Sequence, residues 1–215
     1  AYAADGYARA RGFGLLCTTF GVGELSAACG VAGSTAEDVA VLHIVAAPSS
    51  SAMEAGTALH HTFGDGRFDR FTRASAELVT RSAVLTRAHA AEEIDELLRR
   101  WRIEGGTRYL LVPQDVAELR VDPSSVGSRD CSLQPSSDDS VQQELEHEMK
   151  AFREKFQNPI LLVGHKLQRA GLKTGLEGCL EAGLEAAVLP NAKGLIDEDH
   201  ANYLGVYNGN LGDTG

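Results

Sequence analysis

The 215-residue chain sets 20 Lys and Arg against 30 Asp and Glu, for a formal charge of −10, and is 43% hydrophobic and 23% charged. That balance suits a globular protein of one or two domains and argues against a nucleic-acid partner, because the basic residues form no block to meet a phosphate backbone. No apolar run approaches the roughly 18 residues that span a bilayer, so no membrane partner is expected either.

In chain order, Ala1 to Arg11 is rich in Ala and Arg and is followed by Gly12, the pattern of a helix and its end. Leu15 to Phe20 is a short apolar, β-prone run of the kind that forms a buried strand. It breaks at Gly21-Val22-Gly23, and Glu24 to Gly33 reads as a helix of small residues with a carboxylate in its first turn. Val39 to Ala46 is a second buried-type strand, and Ser49 to Thr57 reads as a loop. Glu77 to Leu85 is a further strand candidate. Ala90 to Ile103 is the clearest helix, with Ile94, Leu97, Leu98 and Trp101 on one face, and Tyr109 to Pro113 is another strand. Residues 120–140, rich in Ser, Pro, Asp and Gly, cannot bury a core and read as a linker. Beyond it the pattern restarts: a helix face of Leu145, Met149, Phe152 and Phe156, a strand at Ile160 to Gly164, a helix lined by Leu172, Leu176 and Leu180, and a strand at Ala186 to Pro190. Strands alternating with helices predict an α/β fold with parallel sheets. The chain opens inside a helix without methionine and stops without a closing element, so it is expected to be a piece of a longer protein.

The stretch richest in chemistry is Ala58-Leu59-His60-His61-Thr62-Phe63-Gly64-Asp65-Gly66. A Gly-Asp-Gly turn supplies backbone conformations closed to most residues and holds the two imidazoles in a defined bend. Imidazoles exchange protons near neutral pH and ligate metals, while the bland alternative has one packing and the other facing water. A metal cluster of His60, His61 and Asp65 is disfavoured, since adjacent residues in a strand face opposite ways. The scattered cysteines, Cys17, Cys29, Cys131 and Cys179, form no C-x-x-C pair and signal neither zinc nor disulfides, which fits a reducing compartment. His43, mid-strand among apolar residues, is expected to be a packed core histidine. Gly21-Val22-Gly23 after a strand invites comparison with a dinucleotide fingerprint. Ser26 stands at the third glycine and no acidic residue ends the next strand, so a turn for close strand–helix approach is the better reading.

Three segments together carry a resemblance: Ala1-Tyr2-Ala3-Ala4-Asp5-Gly6-Tyr7-Ala8-Arg9, Thr18 to Ala27, and Leu59 to Gly66. With Lys193 to His200 and Gly205-Val206-Tyr207-Asn208-Gly209, they resemble the pyruvate decarboxylase and indolepyruvate decarboxylase family of thiamine-diphosphate-dependent 2-keto acid decarboxylases. The match is collinear over the whole chain, and the His-His turn sets it apart from the acetolactate synthase branch.

The resemblance implies a parallel-sheet fold with a pyrimidine-binding domain at residues 1–119 lacking its start, a linker at 120–140, and a middle domain at 141–215 lacking its C-terminal half. It implies a non-oxidative decarboxylase that turns a 2-keto acid, pyruvate foremost, into an aldehyde and carbon dioxide. The alternatives are a larger keto acid such as indolepyruvate, or an inactive truncated chain. Thiamine diphosphate and Mg2+ would be bound mainly through parts outside the chain, including a family Glu just upstream of Ala1. His60 and His61 would relay protons, Gly21, Val22 and Gly23 would line the cofactor's pyrimidine ring, and the whole protein would be a cytoplasmic homodimer or homotetramer. On this reading the chain alone is inactive and, with its sheet partly uncovered, poorly soluble.

Overall fold

The computed structural model describes residues 1–120 and 138–211, and the chain divides into two compact units, Ala1–Pro135 and Ser136–Gly215. In the first unit the elements run α1 (Tyr2–Arg11), β1 (Gly14–Thr19), α2 (Val22–Ala36), β2 (Val41–Ala47), α3 (Ser50–Glu54), α4 (Asp69–Ala76), β3 (Arg81–Val84), α5 (Ala90–Glu104), β4 (Arg108–Pro113) and α6 (Gln114–Ala117). The four strands form one parallel sheet in the order β1-β2-β4-β3. Successive residues of a strand face opposite ways, so the sheet has two distinct sides. On one, Leu42 and Leu110 pack with Leu85, Val116 and the α5 residues Leu97 and Trp101. On the other, Val41 joins Val39 and Ala8 of α1, and Val45 and Ala47 join Tyr109 and Leu111.

Several sequence expectations are corrected here. The segment Ser49–Thr57 is not all loop: Ser49 Oγ accepts the amide N–H of Ala52 and starts the short helix α3. Only Arg81–Val84 of the Glu77–Leu85 stretch is strand, because α4 precedes it and Leu78 N–H still bonds Ser75 C=O in the descending turn. The β1 run is not wholly buried. Leu15 is 54% exposed, since β1 is the edge strand among the described residues and α5 covers the other strands on that side. Leu98 also departs from its expected face and is 40% exposed, whereas Leu97 is 2% exposed.

In the second unit α7 (Asp139–Lys155) precedes β5 (Ile160–Val163), α8 (Lys166–Arg169), α9 (Lys173–Glu181), β6 (Glu185–Val188), a 3-10 turn (Pro190–Ala192) and β7 (Tyr203–Val206). The three strands are parallel in the order β5-β6-β7. Leu176 and Leu180 of α9 pack on Val163, Ala186 and Val188, with Ala192, Leu195 and Ile196 closing the core. The anticipated linker falls largely outside the described residues. Its last residues are helical, because Asp138 accepts the N–H of Ser140 and caps α7. Leu145, Met149 and Phe152 of α7 are all exposed, and Leu172 stands at the N-cap of α9 rather than within it.

The α5 seam gives a contrast between neighbours in sequence. Leu97→Ala is expected to cost about 2–5 kcal/mol by opening a cavity beneath Trp101, and Leu98→Ala only about 0.5 kcal/mol as a surface change. Urea unfolding followed by fluorescence of Trp101, the single Trp, measures both; equal losses would refute the burial difference.

Candidate functional site

The strands of the first sheet all run the same way, so their carboxyl ends open on one edge, where α/β proteins hold ligands. There Thr19, Phe20, Ala46, Ala47, Pro48 and Gln114 meet Ala58, Leu59, His60 and His61 around an open cleft of about 560 Å³. Both histidines are exposed. They lie in a turn, not a strand, so the alternation argument applied to them from the sequence does not hold. His61 has φ 70° and, with Asp38, is one of two non-glycine residues in the left-handed region among those described. Its Nδ1 lies 3.2 Å from Thr19 Oγ1, and its ring stands 5.7 Å from that of Phe20.

The loop after the pair is tied down locally. Thr62 Oγ1 donates to Leu59 C=O at 2.7 Å and accepts from Gly64 N–H at 3.1 Å. Asp65 pairs with Arg70 at 2.6 Å, so it turns toward α4. The Phe63 ring stacks on Phe71 at 5.4 Å. Among the described residues there is no group of three or more His, Cys, Asp or Glu arranged to hold a metal.

Gly21 joins the two halves of the site. It has φ 64° and ψ −106°, and a Cβ there would sit 1.8 Å from the His61 carbonyl oxygen. Only glycine lets the turn after β1 back onto the histidine loop. Val22, the next residue, is 53% exposed. A Cβ on Gly23 would sit 2.8 Å from the Thr19 Cγ2 methyl, so the expected close approach of strand and helix is present.

Beneath the turn lies a row of polar side chains, of which His43, Glu24 and Tyr109 are buried and Thr18 half-buried. Thr18 Oγ1 and His43 Nε2 are 2.9 Å apart, and His43 meets Tyr109 edge-on at 5.7 Å. Tyr109 donates its hydroxyl to Glu24 Oε2 at 2.8 Å, and Ser75 of α4 donates to the same oxygen at 2.9 Å. Glu24 Oε1 accepts the Gly21 N–H at 2.8 Å. Burial raises the Tyr109 hydroxyl pKa above the ordinary phenol range, and the neighbouring Glu24 adds to it. His43 is the packed histidine its apolar flanks predicted, and burial lowers its pKa to about 4. The sequence reading took Glu24 as a helix-start carboxylate. It did not find the partners Tyr109 and Ser75, which lie 85 and 51 residues away.

Residues 1–69 match the family model described as thiamine pyrophosphate enzyme, N-terminal TPP binding domain. That span holds both the glycine turn and the histidine pair. Over 98% of its length the chain is 40% identical to pyruvate decarboxylase isozyme 3 of Saccharomyces cerevisiae and 39% identical to pyruvate decarboxylase of Kluyveromyces marxianus, covering 38% of each. Over 97% of its length it is 40% identical to the alpha-keto-acid decarboxylase of Mycobacterium avium, covering 37% of that protein. The resemblance seen in the motifs therefore extends over the whole chain, which spans less than two fifths of these relatives' length. No helix among the described residues is long and apolar enough to cross a membrane.

The pKa of His43 sets an acid dependence. The folded value near 4 lies below the ordinary 6.5, so between these values the unfolded chain binds the extra proton and stability rises with pH. Stability is therefore undiminished above about pH 6.5 and falls toward pH 4 by an amount on the order of 3 kcal/mol. His43→Leu should remove that part of the decline in urea unfolding at pH 7 and pH 4.5; an unchanged pH dependence would rule His43 out as its source.

Proposed function

We propose that the chain is part of a thiamine-diphosphate-dependent, non-oxidative 2-keto acid decarboxylase whose substrate is pyruvate. The observation that carries this reading is the pair of exposed histidines held in a strained turn at the cleft, in a chain about 40% identical to pyruvate decarboxylases. Residues 1–119 then form the pyrimidine-binding domain and residues 141–215 part of the middle domain.

The residues present fit such a cofactor on one count. The glycine turn permits close backbone approach, and Val22 extends an uncovered apolar side chain from it, as the face of an aromatic ring requires. Gly21, Val22 and Gly23 would hold the pyrimidine ring. Magnesium and the diphosphate are assigned to the part of the relatives' length that this chain does not span. When bound, thiamine diphosphate would supply the nucleophilic carbon and the electron sink that decarboxylation of a 2-keto acid needs.

The chain's own contribution is proton handling. The Thr19 hydroxyl engages His61 Nδ1, which leaves Nε2 to exchange a proton with the reacting group. His60, beside it on the cleft wall, offers a second imidazole to relay that proton to water. The cleft is open, so products can leave through it. The large exposed apolar side chains Tyr2, Tyr7, Val22, Leu25 and Phe63 support a homodimer or homotetramer that covers them, and the scattered cysteines, with no C-x-x-C pair, support a cytoplasmic protein.

In the full-length protein, His61→Phe and His60→Phe should each lower turnover by about two orders of magnitude while leaving fold and cofactor occupancy intact. The measurement is aldehyde release from pyruvate per folded, cofactor-loaded site. Near-wild-type turnover in both variants would remove the pair from the mechanism. A higher kcat/KM for a bulkier 2-keto acid would replace pyruvate as the substrate, a comparison motivated by the equally similar alpha-keto-acid decarboxylase.

A further inference from the structure

We infer that Glu24 is a positioning residue for His61, acting through Gly21; the inference rests on the proton-handling role proposed for His61. Two residues with positive φ, Gly21 at 64° and His61 at 70°, meet where a Gly21 side chain would strike the His61 carbonyl. A histidine in the left-handed region persists only where its surroundings over-determine it, and such strain gathers at working sites. The surface that over-determines His61 is the Gly21 turn, and Glu24 holds that turn through the Gly21 N–H.

A helix cap alone would need one acceptor. Glu24 has more: its other oxygen takes the hydroxyls of Ser75 and Tyr109. Ser75 lies on α4, the helix that the histidine loop runs into, and Tyr109 lies on β4 beneath the cleft. One carboxylate, 1% exposed, thus links the glycine turn, the helix after the histidines and the sheet under them. Among the described residues no Lys or Arg pairs with it, so these three neutral donors are what hold its direction. Removing them, or the carboxylate, frees the turn and lets the His61 ring drift from its reacting position.

The test uses the full-length protein. Assayed at saturating thiamine diphosphate, because the Gly21 turn is also proposed to hold the pyrimidine ring, Glu24→Ala should lower kcat by at least about tenfold, the scale of a small misplacement, with KM for pyruvate nearly unchanged. Glu24→Gln, which keeps the acceptor for Gly21, should restore most of it. In a His61→Phe background, Glu24→Ala should lower kcat by less than about twofold, because positioning an absent imidazole has no effect. In the apoprotein, the His61 ring resonances, assigned with His61→Phe, should shift or broaden in Glu24→Ala and return in Glu24→Gln. If Glu24→Ala does not fold, Ser75→Ala and Tyr109→Phe each remove one donor and should show smaller losses of the same pattern. Equal losses with and without His61, a loss confined to cofactor affinity, or a lower Tm with unchanged kcat would each overturn the role of Glu24. Wild-type kcat in His61→Phe would overturn the proton-handling reading and this inference with it, which separates the two failures.

Discussion

Gly21 and His61 touch backbone to backbone, and the carboxyl-terminal edge of the first sheet is arranged around that contact. A methyl group on Gly21 would overlap the His61 carbonyl oxygen, so the turn after β1 and the histidine loop approach as closely as two chains can. Both residues have backbone angles that side chains usually avoid. Such a junction stays in place only if rigid elements hold it from both sides. The parallel strands provide one side, and Glu24, reaching Gly21, Ser75 and Tyr109, provides the other.

The two faces of the sheet divide this work. The side packed on α5 is apolar, with Leu42, Leu85, Leu97, Trp101 and Leu110 in one cluster. The side under α2 carries His43, hydrogen-bonded to Thr18 and edge-on to Tyr109, whose hydroxyl donates to Glu24 of α2. Buried polar groups are tolerated when every group finds a partner, and a satisfied network specifies one arrangement more sharply than apolar packing does. Both sides bury apolar side chains, and the side under α2 adds the polar groups that give direction to the cleft.

The histidine pair, the glycine turn and the core role of His43 were legible in the sequence because each is a local signal. Gly-Asp-Gly marks a bend, Gly-Val-Gly marks a break after a strand, and apolar flanks mark a buried position. What joins them was not legible. Thr19 and His61 lie 42 residues apart, and Glu24 and Tyr109 lie 85 apart. No spacing rule relates such pairs, since only the order β1-β2-β4-β3 brings them together.

Periodicity placed most strands and the longer helices to within a few residues, because burying one face of a parallel sheet needs apolar runs whatever their neighbours are. It missed α4, whose eight residues bury only Phe71 and Ser75, and it saw α3 as loop, where a single serine cap decides the matter. It also ranked Leu15 and Leu98 with the core, although they end up exposed. Hydrophobicity states what a side chain prefers; strand order and helix placement state what covers it. Element type and the chemical groups available are local properties of the chain, whereas the direction in which His61 is held is settled by contacts among Gly21, Glu24, Ser75 and Tyr109 that exist only once the sheet has formed.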